Sequence, residues 1–446
     1  MLRFSFIILV MVLIGIAIII YNGVIMTQNP DLPAAEAAAI RDGLIIAVGD
    51  SDKMEELRDD ETEMIDLCGR YVTPGLIDIY SSPAKKVFDG RFLDLSQCSD
   101  MENISEKVAA WSLDHPDEEM IFGYDYSERA LCGEDPSSDF VKKLLDRGCQ
   151  DRPVVLLCES SVSCILNSAA SDIVRETAEE EMVQYVTAPY ILGLFVPFDF
   201  EETQKAAKDL MTGGLAKGVT ACLGAGVPDY FDTLYQEILM SLHNEENLNQ
   251  RFYSSYMMNR PLFPKGVIHR LMARKTMCNE IDGLINSDIC HVYLNASSCP
   301  VEFSSDSLKK ILAEVADKGF SIYVTAVDSE DLDMAAGSLE YIRNKGYKNI
   351  FVIDSPHRID TSDFVHWESA YYMPPREKIF SMSTEEFIRS LTTEAAQIIG
   401  ADCCLGSIER GKRADMAVFD KDPLSMTPQE FWDYPAYMTI FNGTVV

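Results

Sequence analysis

Short apolar runs alternate with helix-like segments along most of this 446-residue chain. Residues 154–158, 289–294 and 320–325 are apolar runs of the length that buried strands have. Helical periodicity over 307–318 separates the last two runs, and Gly319 follows as a typical helix stop. Strands that alternate with helices favour parallel pairing, so the pattern predicts an α/β fold built around a barrel.

The chain is strongly acidic. It has 38 Lys and Arg residues against 71 Asp and Glu residues, which gives a formal net charge of −33. Nucleic acids and anionic membrane surfaces would repel such a protein. We therefore expect no nucleic-acid partner, and we expect the excess charge to lie on a solvated surface.

The 12 cysteines are scattered and lack the CxxC spacing of zinc and redox motifs. Cys158, Cys164 and Cys222 lie in apolar runs, where a free thiol behaves as a small hydrophobic side chain. The pattern predicts a reducing compartment and no disulfide framework.

Three stretches carry the most specific patterns. Residues 74–78, Pro-Gly-Leu-Ile-Asp, place a turn before a buried run, and Tyr80 and Ser82 follow at alternate positions. Residues 167–170 read Asn-Ser-Ala-Ala. Residues 406–415, Gly-Ser-Ile-Glu-Arg-Gly-Lys-Arg-Ala-Asp, precede an apolar strand near the C-terminus.

Together these stretches resemble the amidohydrolase superfamily, and in particular its family 3 branch. The superfamily pattern is Pro-Gly-hydrophobic-hydrophobic-Asp-x-His-x-His at the first barrel strand and Gly-x-Ile-x-x-Gly-Lys-x-Ala-Asp near the end. The family 3 branch adds Asn-Ser-x-Ala. The resemblance implies a (β/α) TIM-like barrel with a small β-sandwich domain built from both chain ends. About 35 residues separate Asp354 from the helix at Leu391, too few for two ordinary βα units, so we expect a shortened or irregular barrel.

The resemblance also implies the domain division. Residues 1–20 would form an apolar leader or membrane anchor, residues 21–72 with 405–446 the β-sandwich domain, and residues 73–404 the barrel. Two β-rich runs flank Asp42-Gly43, which predicts a hairpin in the small domain.

Residues 4–20 carry no charge and follow Arg3. Their length is near the minimum for a membrane-spanning helix, and Arg3 favours a cytoplasmic N-terminus. The segment predicts a membrane-associated protein, with a cytoplasmic protein as the alternative. The resemblance, however, places a first strand near Ile18, and residues 18–20 cannot lie in a bilayer helix and in a sheet at once.

Members of the superfamily hold a catalytic zinc ion at the C-terminal mouth of the barrel. The metal makes hydroxide from water, the hydroxide attacks a C–N bond, and an Asp moves the proton. The two histidines of the first-strand motif would ligate this metal, but Tyr80 and Ser82 stand in their places. The Asp-Gly-His of the family 3 branch, which supplies a substrate-contacting histidine, is replaced by Ser160, Ser161 and Val162.

The remaining ligand positions are substituted as well. His291 aligns with a fourth-strand lysine that the family often carbamylates, and Thr325 replaces the fifth-strand histidine. Asp354 and Ser355 replace the sixth-strand Glu-His pair. One imidazole does not hold zinc. Set against the resemblance, these substitutions predict no metal, no cofactor and no assigned catalytic residue, with pocket positions at Tyr80, Ser82, His291, Thr325 and Ser355.

Two other kinds of site are compatible with the sequence. A replacement metal cluster could draw on residues that are close in the chain: Asp354, His357, Asp360, His366 and Glu368. A metal-free hydrolase could use Ser355 with His357, although no Gly-x-Ser-x-Gly elbow surrounds them. Cys158 with Glu159 is a weaker pair of the same kind.

The expected function is that of an amidohydrolase-family protein, resembling hydrolases of non-peptide C–N bonds, whose metal centre is degenerate. Such a pseudoenzyme would act as a binding or scaffold protein, with a small molecule as one candidate ligand. The alternative is an active hydrolase with an altered or metal-free site around His291, His357 and His366. Fold alone does not separate these functions. The sequence leaves the ligand and the oligomeric state open.

Overall fold

The computed structural model describes most of the chain between Ile18 and Val446. The described residues are 18–79, 88, 90–158, 164–177, 195, 199–227, 229–258, 264–278, 283–294, 303–326, 328–354, 365–367 and 382–446.

The strands of the described residues are, in chain order, β1 (Ile18–Tyr21), β2 (Val24–Met26), β3 (Ala34–Ala35), β4 (Ala37–Arg41), β5 (Leu44–Gly49), β6 (Glu63–Asp66), β7 (Tyr71–Pro74), β8 (Leu76–Asp78), β9 (Leu93–Asp94), β10 (Ile121–Tyr126), β11 (Val154–Cys158), β12 (Cys164–Leu166), β13 (Val219–Val227), β14 (Arg251–Met258), β15 (Ile285–Leu294), β16 (Ser321–Ala326), β17 (Phe351–Asp354), β18 (Val365–Trp367), β19 (Met416–Phe419), β20 (Met438–Phe441) and β21 (Thr444–Val445).

The α-helices are α1 (Ser51–Glu55), α2 (Met101–Asp114), α3 (Asp139–Gly148), α4 (Ser168–Thr177), α5 (Phe200–Leu215), α6 (Asp229–Asn244), α7 (Pro264–Cys278), α8 (Ser305–Asp317), α9 (Ser329–Asn344), α10 (Thr384–Ser390), α11 (Thr393–Ile398) and α12 (Pro428–Asp433). Short 3₁₀ helices lie at Glu128–Leu131 and Pro423–Ser425.

The chain divides into two compact units. The first comprises Met1–Asp78, Gly213–Ala221 and Glu377–Val446, and the second comprises Ile79–Thr212 and Cys222–Arg376. Residues 73–78, 213–221 and 382–404, which the sequence analysis assigned to the barrel domain, lie in the first unit. Backbone hydrogen bonds explain this difference, because Leu76 N donates to Gly218 O and Ile77 N donates to Leu391 O.

The first unit contains two β-sheets, in the orders β5-β4-β1-β6 and β21-β20-β19-β7-β2-β3. Side chains from both sheets form one buried cluster, with Ile20 and Ile40 from the first sheet and Val72 and Met416 from the second. The second sheet joins strands from both ends of the chain, since β19 pairs with β7. The more specific expectation of a β-sandwich stays a prediction.

β1 corrects part of the expected leader. Ile19 is fully buried and pairs with Ala39 of β4 on one side and Met64 of β6 on the other. Residues 18–20 are therefore in a sheet and are not available to a membrane helix. None of the helices in the described segments is both long and apolar enough to cross a membrane. The rest of the predicted anchor, residues 4–17, lies outside the described residues and stays a prediction.

The Pro-Gly turn before β8 has a steric cause. The backbone nitrogen of Gly75 donates to Asp415 O at 2.7 Å, which brings the turn against the C-terminal part of the chain. A Cβ atom at position 75 would overlap the side chain of Thr220 on β13. The motif therefore needs glycine here because two backbone segments approach closely.

The second unit is built around a sheet with the order β13-β14-β15-β16-β17-β18, of which β13 contributes residues 222–227. The strands from β14 to β18 pair in parallel. The helices α6, α7, α8 and α9 separate the five strands from β13 to β17 in the chain. This alternation confirms the α/β prediction for this part of the chain. A second sheet has the order β12-β11-β10-β9, and its edge strand β12 runs antiparallel to β11.

Candidate functional site

The candidate site lies on three neighbouring parallel strands of the second unit. In the register of β15 and β16, His291 is opposite Tyr323, and Tyr293 is opposite Thr325. Thr325 is in turn opposite Asp354 on β17. The sequence predicted pocket positions at His291 on β15 and Thr325 on β16, and it aligned Asp354 on β17 with a family ligand position; the backbones of these three strands are adjacent.

Two of the predicted positions are in direct contact. Nε2 of His291 lies 2.8 Å from the hydroxyl oxygen Oγ1 of Thr325, a hydrogen-bond distance. His291 is 0% exposed and Thr325 is 1% exposed. A buried imidazole needs a polar partner, and the threonine hydroxyl supplies one for this ring nitrogen.

An aromatic residue that the sequence analysis did not single out also contacts His291. The rings of His291 and Tyr323 meet edge to face, with centroids 5.0 Å apart and planes at 84°. Tyr323 is two residues before Thr325 on the same strand, so alternation places both side chains on one face. That spacing is the sequence signal that could have identified Tyr323.

The opposite face of these strands is apolar. Cys290 and Val292 on β15, and Ile322 and Val324 on β16, pack in a buried cluster with side chains of α8 and α9. Because side chains alternate along a strand, this packing directs His291 and Thr325 to the other face. The helices thus fix which face carries the polar residues.

Cys290 is not a candidate nucleophile. Burial raises the pKa of its thiol to about 12, with a smaller opposite effect from the Arg274 guanidinium. A thiol in this state is protonated at neutral pH, and the thiolate is the reactive form.

Most of the other predicted site residues lie outside the described part of the chain. Tyr80, Ser82 and Ser355 lie outside the described residues. The same holds for members of the alternative sites: Glu159, Ser160, Ser161, Val162, His357, Asp360 and Glu368. His366 is on β18, where its backbone is opposite Ile353.

The described residues do not fit the zinc ion that the resemblance implies. The described contacts at this site join an imidazole, a threonine hydroxyl and a tyrosine ring. Zinc sites in proteins take at least three ligands from Cys, His, Asp and Glu. Within the described ranges, no group of three or more such residues is placed to hold a metal ion.

The Asn-Ser-x-Ala motif has a structural role. The side-chain oxygen of Asn167 accepts from Val154 N and Ala170 N, and its nitrogen donates to Cys149 O and Arg152 O, all at 2.8–2.9 Å. The Ser168 hydroxyl donates to Asp146 at 2.7 Å. Asn167 is fully buried, so these four bonds tie β11 to the start of α4.

The C-terminal signature also stabilises local structure. Nζ of Lys412 donates to Leu405 O at 3.2 Å and to the Ser407 hydroxyl at 2.7 Å. Asp415 accepts from the backbone nitrogen of Asn442 at 2.8 Å. These contacts lie within the first unit, so the signature marks the fold of that unit and contributes no group to the site on β15 and β16.

The fold and the motifs define a class of α/β protein with parallel strands, in which polar residues occupy one face of the central strands. The sequence profile of the Amidohydrolase family matches residues 63–365 and 358–446. The chain belongs to the amidohydrolase family.

Solved structures of metal-dependent hydrolases share this fold. A metal-dependent hydrolase from Pyrococcus horikoshii OT3 is 16% identical with a TM-score of 0.59, and the match covers 92% of this chain and 99% of that chain. An adenosine deaminase from Xanthomonas campestris with bound zinc is 12% identical with a TM-score of 0.54, covering 97% and 93%. The atrazine chlorohydrolase TrzN from Arthrobacter aurescens TC1, complexed with zinc, is 13% identical with a TM-score of 0.53, covering 96% and 94%. These likenesses imply a TIM-like barrel.

Two curated relatives match shorter stretches. Protein LONG AFTER FAR-RED 3 of Arabidopsis thaliana is 26% identical over 156 residues, which are 35% of this chain and 26% of that protein. Exoenzymes regulatory protein AepA of Pectobacterium carotovorum subsp. carotovorum is 26% identical over 112 residues, which are 25% of this chain and 24% of that protein. The matched stretches span about a quarter of the length of each relative.

Proposed function

We propose that this chain is a non-catalytic member of the amidohydrolase family, in which the positions of the metal ligands have been converted to a metal-free polar site. The observation that carries the proposal is the 2.8 Å contact between His291 and Thr325. Two positions that the sequence analysis aligned with metal-ligand positions of the family are hydrogen-bonded to each other instead.

Burial supports this interpretation. A zinc centre that hydrolyses substrates keeps an open coordination position for water. His291, Tyr323 and Thr325 are each at most 2% exposed, so their side chains are covered. A hydrogen-bonded pair in such surroundings stabilises the strands and does not need a cation.

The proposed activity is binding of a small molecule. His291, Tyr323 and Thr325 are buried, so they would support such a site from within the fold. The ligand would bind beyond them at the carboxyl ends of β15 and β16, where ligands of parallel α/β sheets usually bind. The net charge of −33 makes nucleic acid an unsuitable partner.

A second function, hydrolysis of C–N bonds without the family's metal, has one observation in its favour. The contact between Nε2 of His291 and Oγ1 of Thr325 is within the range that a base and a nucleophile use. The burial of both side chains and the branched, secondary hydroxyl of threonine count against it. For this reason the binding function is our first proposal.

A hydrolysis assay separates the two functions. The full-length chain and its H291N and T325V variants are incubated with a panel of amide, amidine and cyclic C–N substrates, with and without added zinc. We expect release of product at the uncatalysed rate in every case. Turnover by the unmodified chain that is lost in H291N would overturn the non-catalytic proposal, and its loss in T325V as well would support the metal-free hydrolase.

A further inference from the structure

The first sheet of the first unit ends in an edge strand. β6 pairs in parallel with β1, and the sheet order β5-β4-β1-β6 ends there. Leu67 N, directly after β6, donates to Tyr21 O on β1 at 2.9 Å. Backbone groups alternate between the two sides of a strand, so those of Met64 and Asp66 point away from β1. Among the described residues, no strand pairs with this outer side of β6.

The side chains of β6 favour the addition of another strand. Met64 packs with Ile19 and Met54 on one face of the sheet, Ile65 packs with Ile20 on the other, and both β6 side chains are only partly buried. A neighbouring strand would cover more of each side chain and would pair with the outward backbone groups. A second copy of this chain presents the same edge, so two copies could pair edge to edge about a two-fold axis.

The segment that leads into β6 is strongly acidic. Residues 50–66 contain two basic side chains, Lys53 and Arg58, and nine acidic residues, all of them exposed: Asp50, Asp52, Glu55, Glu56, Asp59, Asp60, Glu61, Glu63 and Asp66. Nζ of Lys53 forms a salt bridge with Asp50 at 2.6 Å. The edge strand therefore carries a large excess of negative charge beside its outward backbone groups.

We propose that these carboxylates prevent the protein from pairing with a second copy of itself through β6. Paired strands lie about 4.8 Å apart. That distance is shorter than the Debye length, which is about 10 Å at 0.1 M salt, so salt screens the repulsion between β6 and its copy only in part. Like charges on paired strands destabilise the pairing. The acidic segment thus opposes an association that the backbone and apolar side chains of β6 favour.

The mass of full-length variants in solution tests this proposal. D60N/E61Q/E63Q replaces three exposed carboxylates beside or on β6 with amides of similar size. In sedimentation at low salt and one fixed protein concentration, this variant should have about twice the mass of the unmodified chain. E314Q/D333N/E340Q neutralises the same number of exposed carboxylates on α8 and α9, so it serves as the control and should keep the mass of the unmodified chain.

Hydrogen exchange shows whether β6 is the contact. The backbone amides of Met64 and Asp66 should exchange about tenfold more slowly in D60N/E61Q/E63Q than in the unmodified chain, because pairing protects them. Adding M64P removes an outward N–H and leaves the bonds to β1 in place, so it should restore the mass of the unmodified chain.

Four results would overturn the proposal. They are an unchanged mass in D60N/E61Q/E63Q, an equal gain in mass in the control variant, association that leaves the Met64 and Asp66 amides unprotected, and association that persists with M64P.

Discussion

Nε2 of His291 and the hydroxyl oxygen of Thr325 are 2.8 Å apart on neighbouring parallel strands, and both side chains are buried. The sequence analysis predicted that both positions match metal-ligand positions of the amidohydrolase family, and the structure shows a hydrogen-bond contact between them. The two residues are not directly opposite each other. His291 is opposite Tyr323, and Thr325 is two positions further along β16. The contact is diagonal, and it depends on the helices that pack on the opposite face.

Replacement of Thr325 by valine should destabilise the protein while preserving the shape of the side chain. The T325V variant leaves Nε2 of a buried imidazole without this partner, which costs about 1–3 kcal/mol in the free energy of unfolding. T325S keeps the hydroxyl and should lose less. Urea unfolding of the three proteins measures the difference, and a T325V midpoint equal to that of the unmodified chain would contradict the role given to this bond.

Replacement of Asn167 by alanine should be more damaging. The variant removes four hydrogen bonds of a fully buried amide and leaves backbone groups of β11 and α4 unsatisfied, so we expect a loss of roughly 3–4 kcal/mol. N349A is the matched control, because Asn349 donates to only two carbonyls, Ala316 O and Phe320 O. Thermal or urea unfolding should show that N167A is much less stable than N349A. The reverse order would contradict the structural role assigned to the four hydrogen bonds of Asn167.

Two glycine substitutions should change the free energy of unfolding in opposite directions. In G75A the new Cβ overlaps the side chain of Thr220, and we expect a loss of about 1–3 kcal/mol. In G213A the new Cβ meets nothing within 4 Å and lies within α5, so we expect a gain of about 0.5–1 kcal/mol. The G75A/T220A variant should recover part of the loss. A lower unfolding midpoint in G213A as well as in G75A would contradict the stability gain predicted for G213A.

The periodic elements of the second unit could be predicted from the sequence. The helix expected over 307–318 is α8, Ser305–Asp317, and the run at 320–325 is β16, Ser321–Ala326. β15 begins at Ile285, four residues before the expected run at 289–294. Polar residues such as Asn286 and Asp288 interrupt the apolar pattern there, and the chain nevertheless pairs with β14. Pairing with β14 therefore extends β15 beyond the segment that local hydrophobicity predicts.

The candidate site could be predicted only by position. Alignment with the family's pattern identified His291 and Thr325, but the bond between them depends on the register of two strands 34 positions apart in the chain. Asp232 on α6 and Arg274 on α7 form a buried ion pair with an N–O distance of 3.0 Å, and no sequence pattern predicted it. Its two members lie on different helices, and acidic and basic residues on helices are usually solvated. Tertiary packing is what buries this pair.

The zinc content of the purified full-length chain tests the central claim most directly. The protein is incubated with excess zinc, desalted and analysed by elemental mass spectrometry, beside the H291N variant and a zinc-bearing family member as a positive control. We expect far less than one zinc ion per chain, the same for H291N, and full occupancy of the control. One or more zinc ions per chain, reduced in H291N, would contradict the account of a family fold without its metal centre.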